Sequence, residues 1–147
     1  EKIYEVMLSL SKQIVSDGEG ISKLMEVTVS NAKNKTQASN VAFSIAESTL
    51  VKTAIAGEDA NWGRVVMAIG KADKHIDQDK IIIKFGDSVV AKKGARYQKI
   101  DLRKLNHYMK NKIVKINVNL GIGKYTKRVW SSDLTHRYIN INADYRS

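Results

Sequence analysis

Cysteine and proline are both absent from this chain of 147 residues. Without cysteine the chain can form no disulfide, zinc–thiolate site or thiolate nucleophile, and this composition fits a cytosolic setting. Without proline there is no proline-rich linker between domains. No apolar run approaches the roughly 18–20 residues of a membrane-spanning helix, and no signal peptide is visible. The remaining composition, 43% hydrophobic and 27% charged residues, is typical of a soluble globular protein.

Helical periodicity recurs three times in the first half of the chain. The apolar stripes are Ile3, Met7, Leu10 and Ile14; then Ala38, Val41, Ala42 and Ile45; then Trp62, Val65, Val66 and Ile69. Asn61 is expected to cap the third of these helices. A shorter helical turn is expected at 50–55, and alternation over 24–30 predicts a strand with one buried face.

Strand patterns dominate the second half. Residues 81–85 and 88–91, separated by a glycine-containing turn, predict a β-hairpin. Strict alternation over 113–120 is the clearest strand pattern in the chain, and 125–130 is predicted to be its partner strand. A short helix capped by Asp101 is expected between the hairpin and these strands.

These elements predict an α+β fold with helices packed on a mixed or antiparallel sheet, rather than a doubly wound sheet. The charge balance changes near residues 72–79, so we expect a helix-rich part at 1–75 and a small basic α+β domain at 76–147. The chain begins with Glu1, already in a helical pattern, and we interpret it as a fragment or a processed subunit.

Polar residues cluster in a turn at 17–20 (DGEG) and in the tail 133–147. The glycines of the turn allow positive φ and close approach, so Glu19 is either aimed into a pocket or solvated at a helix stop. The tail is rich in hydrogen-bonding groups, and it either docks into a site or frays. No metal site is expected, because the spacing of the histidines does not suit one: His75, His107 and His136.

A third polar segment, 56–64 (AGEDANWGR), joins two apolar stretches. One reading is a ligand site at a helix amino terminus, where free amide groups favour anions. The other is a self-contained corner in which Arg64 pairs with Glu58 or Asp59 and Trp62 enters the core. Both readings stay open on the residues alone.

Three segments together resemble the ornithine acetyltransferase (glutamate N-acetyltransferase) family. Residues 17–23 (DGEGISK) resemble its DGEGATK-type motif, and residues 50–64 (LVKTAIAGEDANWGR) are nearly identical to its central signature. Residues 133–135 (DLT) with 141–147 (INADYRS) resemble its carboxy-terminal ending. The order and spacing also fit, and the resemblance covers essentially the whole chain.

The resemblance implies an arginine-biosynthesis enzyme that moves an acetyl group from N-acetylornithine to glutamate. In this family a precursor cleaves itself before a threonine, which then carries the acetyl group as an ester, assisted by an oxyanion hole. The resemblance further implies a cytoplasmic protein that needs no cofactor, with acetyl-coenzyme A as an additional donor in bifunctional members. It implies a heterotetramer of two alpha and two beta chains, built on a self-processing α/β fold of the DmpA and ornithine acetyltransferase type. This chain would be the carboxy-terminal part of the beta chain.

Carried over residue by residue, the resemblance assigns substrate-binding roles to Glu19, Asn142 and Ser147. A carboxylate can hold the amino groups of ornithine, and the amide and hydroxyl can hydrogen-bond the amino-acid end of either substrate. The part at 1–75 would then complete the catalytic core, and the tail of 76–147 would return to the active site.

The chain also departs from the family pattern. The self-cleavage sequence, of alanine-threonine-methionine-leucine type, does not occur in it. No catalytic residue is therefore assigned here: the nucleophile, the oxyanion hole and a substrate-binding lysine are expected upstream of Glu1, and the chain alone is expected to be inactive. His136-Arg137 stands where family members often have an acid after the histidine.

Two other functions remain open. The formal net charge is +10, and the whole excess falls in 76–147, which motivates a non-catalytic module that binds RNA or another acidic partner. A solvated basic surface is the preferred interpretation of this charge. The scattered lysines and the lack of an aromatic stacking platform argue against nucleic acid. A related self-processing aminopeptidase is the other alternative, and the central signature argues against it.

Overall fold

The computed structural model describes residues 2–16, 23–133 and 141–142, with side chains described for 2–10 and 23–133. The helices are α1 (Lys2–Ser16), α2 (Lys35–Glu47), α3 (Thr49–Ala56), α4 (Trp62–Ala72) and α5 (Leu102–Tyr108), with a 3-10 turn at Gln78–Lys80. The strands are β1 (Leu24–Ala32), β2 (Ile82–Phe85), β3 (Ser88–Lys92), β4 (Ala95–Arg96), β5 (Ile113–Asn119), β6 (Tyr125–Ser132) and β7 (Ile141–Asn142). None of the helices in these ranges is long and apolar enough to cross a membrane.

Polar caps begin the helices where the sequence predicts them. The Asn61 side chain accepts a hydrogen bond from the Arg64 amide (3.1 Å), and the Asp101 side chain accepts one from the Lys104 amide (3.1 Å). Both predicted caps are confirmed. Each satisfies one of the amide groups that a first helical turn leaves without a partner.

In the described part of the chain, the strands form one sheet in the order β4-β3-β2-β5-β1-β6-β7. Strand β1 runs parallel to β5 and antiparallel to β6, and the remaining neighbours are antiparallel. The sheet is therefore mixed and carries helices packed on it, which confirms the predicted α+β class.

The predicted pairing of β6 with β5 is wrong, because β1 lies between them. The connection from β5 to β6 passes over the end of β1, where the Ile122 and Gly123 amides both donate to the Asn31 carbonyl (3.0 and 2.9 Å). A side chain at Gly123 would collide with the carbonyl of Ala32. Glycine is required there, since backbone has to pass directly against backbone.

Helices α2 to α4 cover one face of the sheet and form the main core with it. Small residues on α2 are buried against β1 and β6, which lets this helix lie close to the strands: Ala38, Ala42 and Ala46. The Ser131 hydroxyl on β6 donates to the Ala46 carbonyl (2.8 Å), and the Ser44 hydroxyl donates to the Ala68 carbonyl of α4 (2.6 Å). These bonds join the sheet, α2 and α4 in sequence.

Helix α1 packs on the opposite face of the sheet, over a small second cluster. The buried residues of this cluster are Met7, Leu24 and Trp130. The predicted division at 72–79 stays a prediction, and the single sheet runs through both parts, because β1 comes from the first part and β5 and β6 from the second.

Candidate functional site

Lys23 is a buried lysine at the entrance to β1, with 4% of its surface exposed. Its ammonium donates to the carbonyls of Met109 (3.1 Å) and Asn111 (3.0 Å), just past the end of α5. The carboxylate of Glu58 lies 3.4 Å from the same nitrogen. An ammonium has three hydrogens, and three oxygens surround this one, so its burial is compensated.

The backbone of Lys23 pairs reciprocally with Asp133, at the end of β6. The Lys23 amide donates to the Asp133 carboxylate (2.6 Å), and the Asp133 amide donates to the Lys23 carbonyl (3.0 Å). Burial raises the pKa of the Asp133 carboxyl, while the bond from the Lys23 amide and the nearby Lys23 charge oppose that rise. Two hydrogen bonds, one in each direction, therefore join Lys23 and Asp133.

Glu58 follows the end of α3 in an uncommon backbone conformation. Its φ is 58, in the left-handed region, and its amide donates to the Ile55 carbonyl (3.0 Å). The next amide, of Asp59, donates to the Ala54 carbonyl (2.9 Å), which completes a Schellman motif. Glycine ordinarily takes the left-handed position, because another residue there costs about 1–2 kcal/mol. Here glycine stands one residue earlier, at Gly57, with φ −84.

The three segments of the family resemblance meet at Lys23. Lys23 ends the first segment, Glu58 lies in the second, and Asp133 begins the third. The sequence offered no direct signal for this meeting point, since lysine is ordinarily exposed. The only indication was the position of Lys23 in the DGEG-containing motif.

The predicted substrate-binding residues lie largely beyond this description. Glu19 and Ser147 fall outside the described residues, as does the departure at His136-Arg137. Asn142 is described through its backbone alone, in β7, where it pairs with Val129 of β6. Their roles therefore stay predictions.

The interpretation of 56–64 as a self-contained corner predicted an ion pair between Arg64 and Glu58 or Asp59, and that ion pair is wrong. Arg64 donates instead to the Leu50 carbonyl (2.8 Å) and to the Thr53 hydroxyl (3.1 Å) on α3. The reason is the placement of α4 beside α3: Arg64 faces the first turns of α3, whereas Glu58 leaves its far end. Trp62 does pack, half-buried, against the main core.

Two open recesses lie elsewhere on the described surface. A groove of about 780 Å³ runs between α2, α3 and α4 and is lined by Phe43, Glu47, Leu50, Arg64, Met67 and Lys71, among others. A polar recess of about 510 Å³ lies on the sheet face that carries α1, lined by Tyr4, Glu26, Asp87, Tyr108, Asn111 and Lys115, among others. Burial raises the pKa of the Tyr108 hydroxyl, which accepts a bond from the Lys115 amide (2.8 Å).

The arrangement around Lys23 is suited to holding three chain segments in fixed positions. The Lys23 ammonium is in contact with three protein oxygens, from Met109, Asn111 and Glu58. The Glu58 carboxylate keeps 43% of its side-chain surface exposed and can accept further hydrogen bonds. The site thus holds three chain segments in register and leaves one acid open to solvent.

The comparisons with known proteins agree on one family. The model of the ArgJ family matches residues 1–147. The arginine biosynthesis bifunctional protein ArgJ of Caulobacter vibrioides is 47% identical over 147 residues, 100% of this chain and 36% of that protein. The protein of the same name from Bradyrhizobium diazoefficiens is 52% identical over 143 residues, 97% of this chain and 35% of that protein.

A solved structure is similar as well. The crystal structure of arginine biosynthesis bifunctional protein ArgJ from Bacillus halodurans superposes with a TM-score of 0.74 at 41% identity, covering 92% of this chain and 65% of that one. The chain spans about a third of the length of the curated relatives given above (36% and 35%). These comparisons give no support to the alternative of a module that binds RNA or an acidic partner.

Proposed function

Because the chain belongs to the ArgJ family, we propose that it forms part of an enzyme of arginine biosynthesis that transfers an acetyl group from N-acetylornithine to glutamate. The acetyl group is carried as an ester on a threonine supplied by another part of the complete protein. The chain itself contributes one wall of the substrate pocket and has no activity alone.

The observation that carries this proposal is the meeting of the three family segments at Lys23. Here Lys23 contacts Glu58 of the central signature and Asp133 at the start of the tail. Such convergence supports a common site, since a pocket must draw its walls from segments distant in sequence.

Substrate binding is proposed for Glu19, Asn142 and Ser147. Glu19 stands four residues before Lys23 in the sequence, and the tail begins at Asp133. Strand β7 then returns antiparallel along β6, pairing Asn142 with Val129. Because Glu19 is only four residues from Lys23 in the sequence, and Asn142 pairs with β6, whose end is bonded to Lys23, we propose that both bind the same small amino-acid substrate.

The remaining features follow the family. We propose no bound cofactor, and acetyl-coenzyme A as a second acetyl donor, which the name "bifunctional protein" carried by the relatives supports. The partners are the upstream alpha chain and the rest of the beta chain, in an assembly of two alpha and two beta chains. The setting is cytoplasmic.

Acetyl transfer from N-acetylornithine to glutamate by the complete protein tests the function, with the isolated chain as the blank. Glu19→Ala is expected to lower kcat/KM at least tenfold, because losing a hydrogen bond to a charged group costs roughly 1.5–3 kcal/mol. The matched control is Glu5→Ala, which removes an exposed carboxylate of α1. A folded, cleaved, inactive parent overturns the function; a Glu19→Ala enzyme within twofold of the parent removes Glu19 from the site.

A further inference from the structure

Glu58 holds a backbone conformation that ordinarily belongs to glycine. A Schellman motif at the end of α3 needs one left-handed residue, and glycine takes that position without strain. The chain has a glycine next to it, at Gly57, and yet holds Glu58 in the strained place (φ 58). Since stopping the helix does not require this residue, its side chain is the better explanation for its presence.

The side chain of Glu58 contacts the buried Lys23. The Glu58 carboxylate lies 3.4 Å from the buried ammonium of Lys23, whose other oxygen partners are the backbone carbonyls of Met109 and Asn111. Carbonyls are neutral, so Glu58 supplies a compensating charge that they do not. The Lys23 side chain is 5% exposed and the Glu58 side chain is 43% exposed, which places Glu58 between the buried ammonium and the solvent.

Lys23 is in turn hydrogen-bonded to Asp133. Its backbone amide and carbonyl are both bonded to Asp133, so a displacement of Lys23 displaces the start of the tail as well. Through its contact with Lys23, Glu58 thus influences the positions of both Lys23 and Asp133.

We propose that Glu58 is a positioning residue: its carboxylate fixes Lys23, and through Lys23 and Asp133 it fixes the two points from which the proposed substrate-binding segments extend. The effect on catalysis rests on the acetyltransferase function proposed above. Glu58 itself touches neither substrate nor the reacting atoms in this proposal. Its removal is expected to weaken substrate binding more than it slows turnover.

The test is Glu58→Gly in the complete protein. This substitution relieves the left-handed strain and keeps the helix stop, which offsets part of the cost of leaving the Lys23 ammonium without its carboxylate, so the protein is expected to stay folded. We expect KM for N-acetylornithine to rise at least fivefold, with a smaller change in kcat. The matched control is Lys93→Gly, which also replaces a left-handed residue (φ 54), in the exposed turn between β3 and β4. It should leave both kinetic constants within twofold of the parent.

Amide hydrogen exchange supplies a readout that does not depend on activity. The amides of Lys23 and Asp133 are expected to exchange at least fivefold faster in Glu58→Gly and at the parental rate in Lys93→Gly. Unchanged exchange overturns the anchoring step even in a parent that lacks acetyltransferase activity. Faster exchange with a parental KM overturns the positioning step, and an inactive parent counts against the proposed function alone.

A double-mutant cycle with Lys23→Met connects the two residues. If Glu58 acts through Lys23, adding Glu58→Gly to Lys23→Met changes KM by less than twofold. Additive effects of the two substitutions overturn the proposed route. Should Lys23→Met fail to fold, the comparison of Glu58→Gly with Lys93→Gly still decides the matter.

Discussion

The Asp133 carboxyl is buried and its pKa is raised by that burial. In the unfolded chain its pKa is near the usual value of about 3.9. Between that value and the higher folded value, the folded state binds more protons than the unfolded state. Stability contributed by this group is therefore fully present below about pH 3.9 and falls as the pH rises through the window above it.

Asp133→Asn is expected to remove that pH dependence. The amide oxygen can still accept the bond from the Lys23 amide, and no buried carboxylate remains to ionise. The stability of the parent relative to the variant should fall as the pH rises from 4 upwards, measured as a difference in melting temperature. A difference independent of pH would contradict the assignment. Asp73, whose pKa is lowered by the bond from Gln37, acts in the opposite direction but is common to both proteins.

At the residue scale, the sequence predicted the caps and the polar segments but not their partners. The Asn61 cap follows from a local pattern, since its partner Arg64 is nearby in sequence, whereas the contact between Lys23 and Glu58 joins residues distant along the chain. The left-handed conformation of Glu58 could not be predicted either, because local sequence rules would assign it to Gly57. Such contacts depend on tertiary packing, which residue type alone does not encode.

The connection from β5 to β6 brings backbone directly against backbone at the end of β1. A Cβ at Gly123 would collide with the Ala32 carbonyl and lie 2.8 Å from the Lys33 Cα, both of them backbone atoms that cannot rotate away. Gly123→Ala is therefore expected to destabilise the protein by about 1–3 kcal/mol, as overpacking does. Gly70→Ala on α4 is the matched control: its added methyl meets nothing within 4 Å, and it should stabilise by about 0.4–1 kcal/mol. The denaturant midpoints of the two variants measure these changes in stability. Equal shifts in the two variants would contradict the close backbone contact at Gly123.

At the element scale, periodicity predicted most helices and strands, including the hairpin of β2 and β3. It could not predict that β1 would separate β5 from β6. A period of two specifies which face of a strand is buried, and it is silent on which strand lies beside it. The crossing over β1 depends on Gly123, where the loop backbone passes directly against the backbone of Ala32 and Lys33.

One mixed sheet joins parts of the chain that differ in charge and composition. Strand β1, from the nearly neutral first part, lies between β5 and β6 of the basic second part. Separating the parts would expose both edges of β1 and the main core beneath it. Helix α1 differs, because it packs through the smaller cluster of Met7, Leu24 and Trp130.

Hydrogen exchange of the complete protein, followed against denaturant concentration, tests whether the proposed parts unfold together. Amides of β1, β5 and β6 are expected to open with one free energy and one denaturant dependence, because no single strand can leave the sheet without exposing its neighbours. Amides of α1 should open at a lower free energy, which provides an internal control. If β5 and β6 opened in a step of their own while β1 stayed protected, the parts 1–75 and 76–147 would be independent folding units. A common opening of the three strands would make the charge boundary near 72–79 a feature of the surface alone.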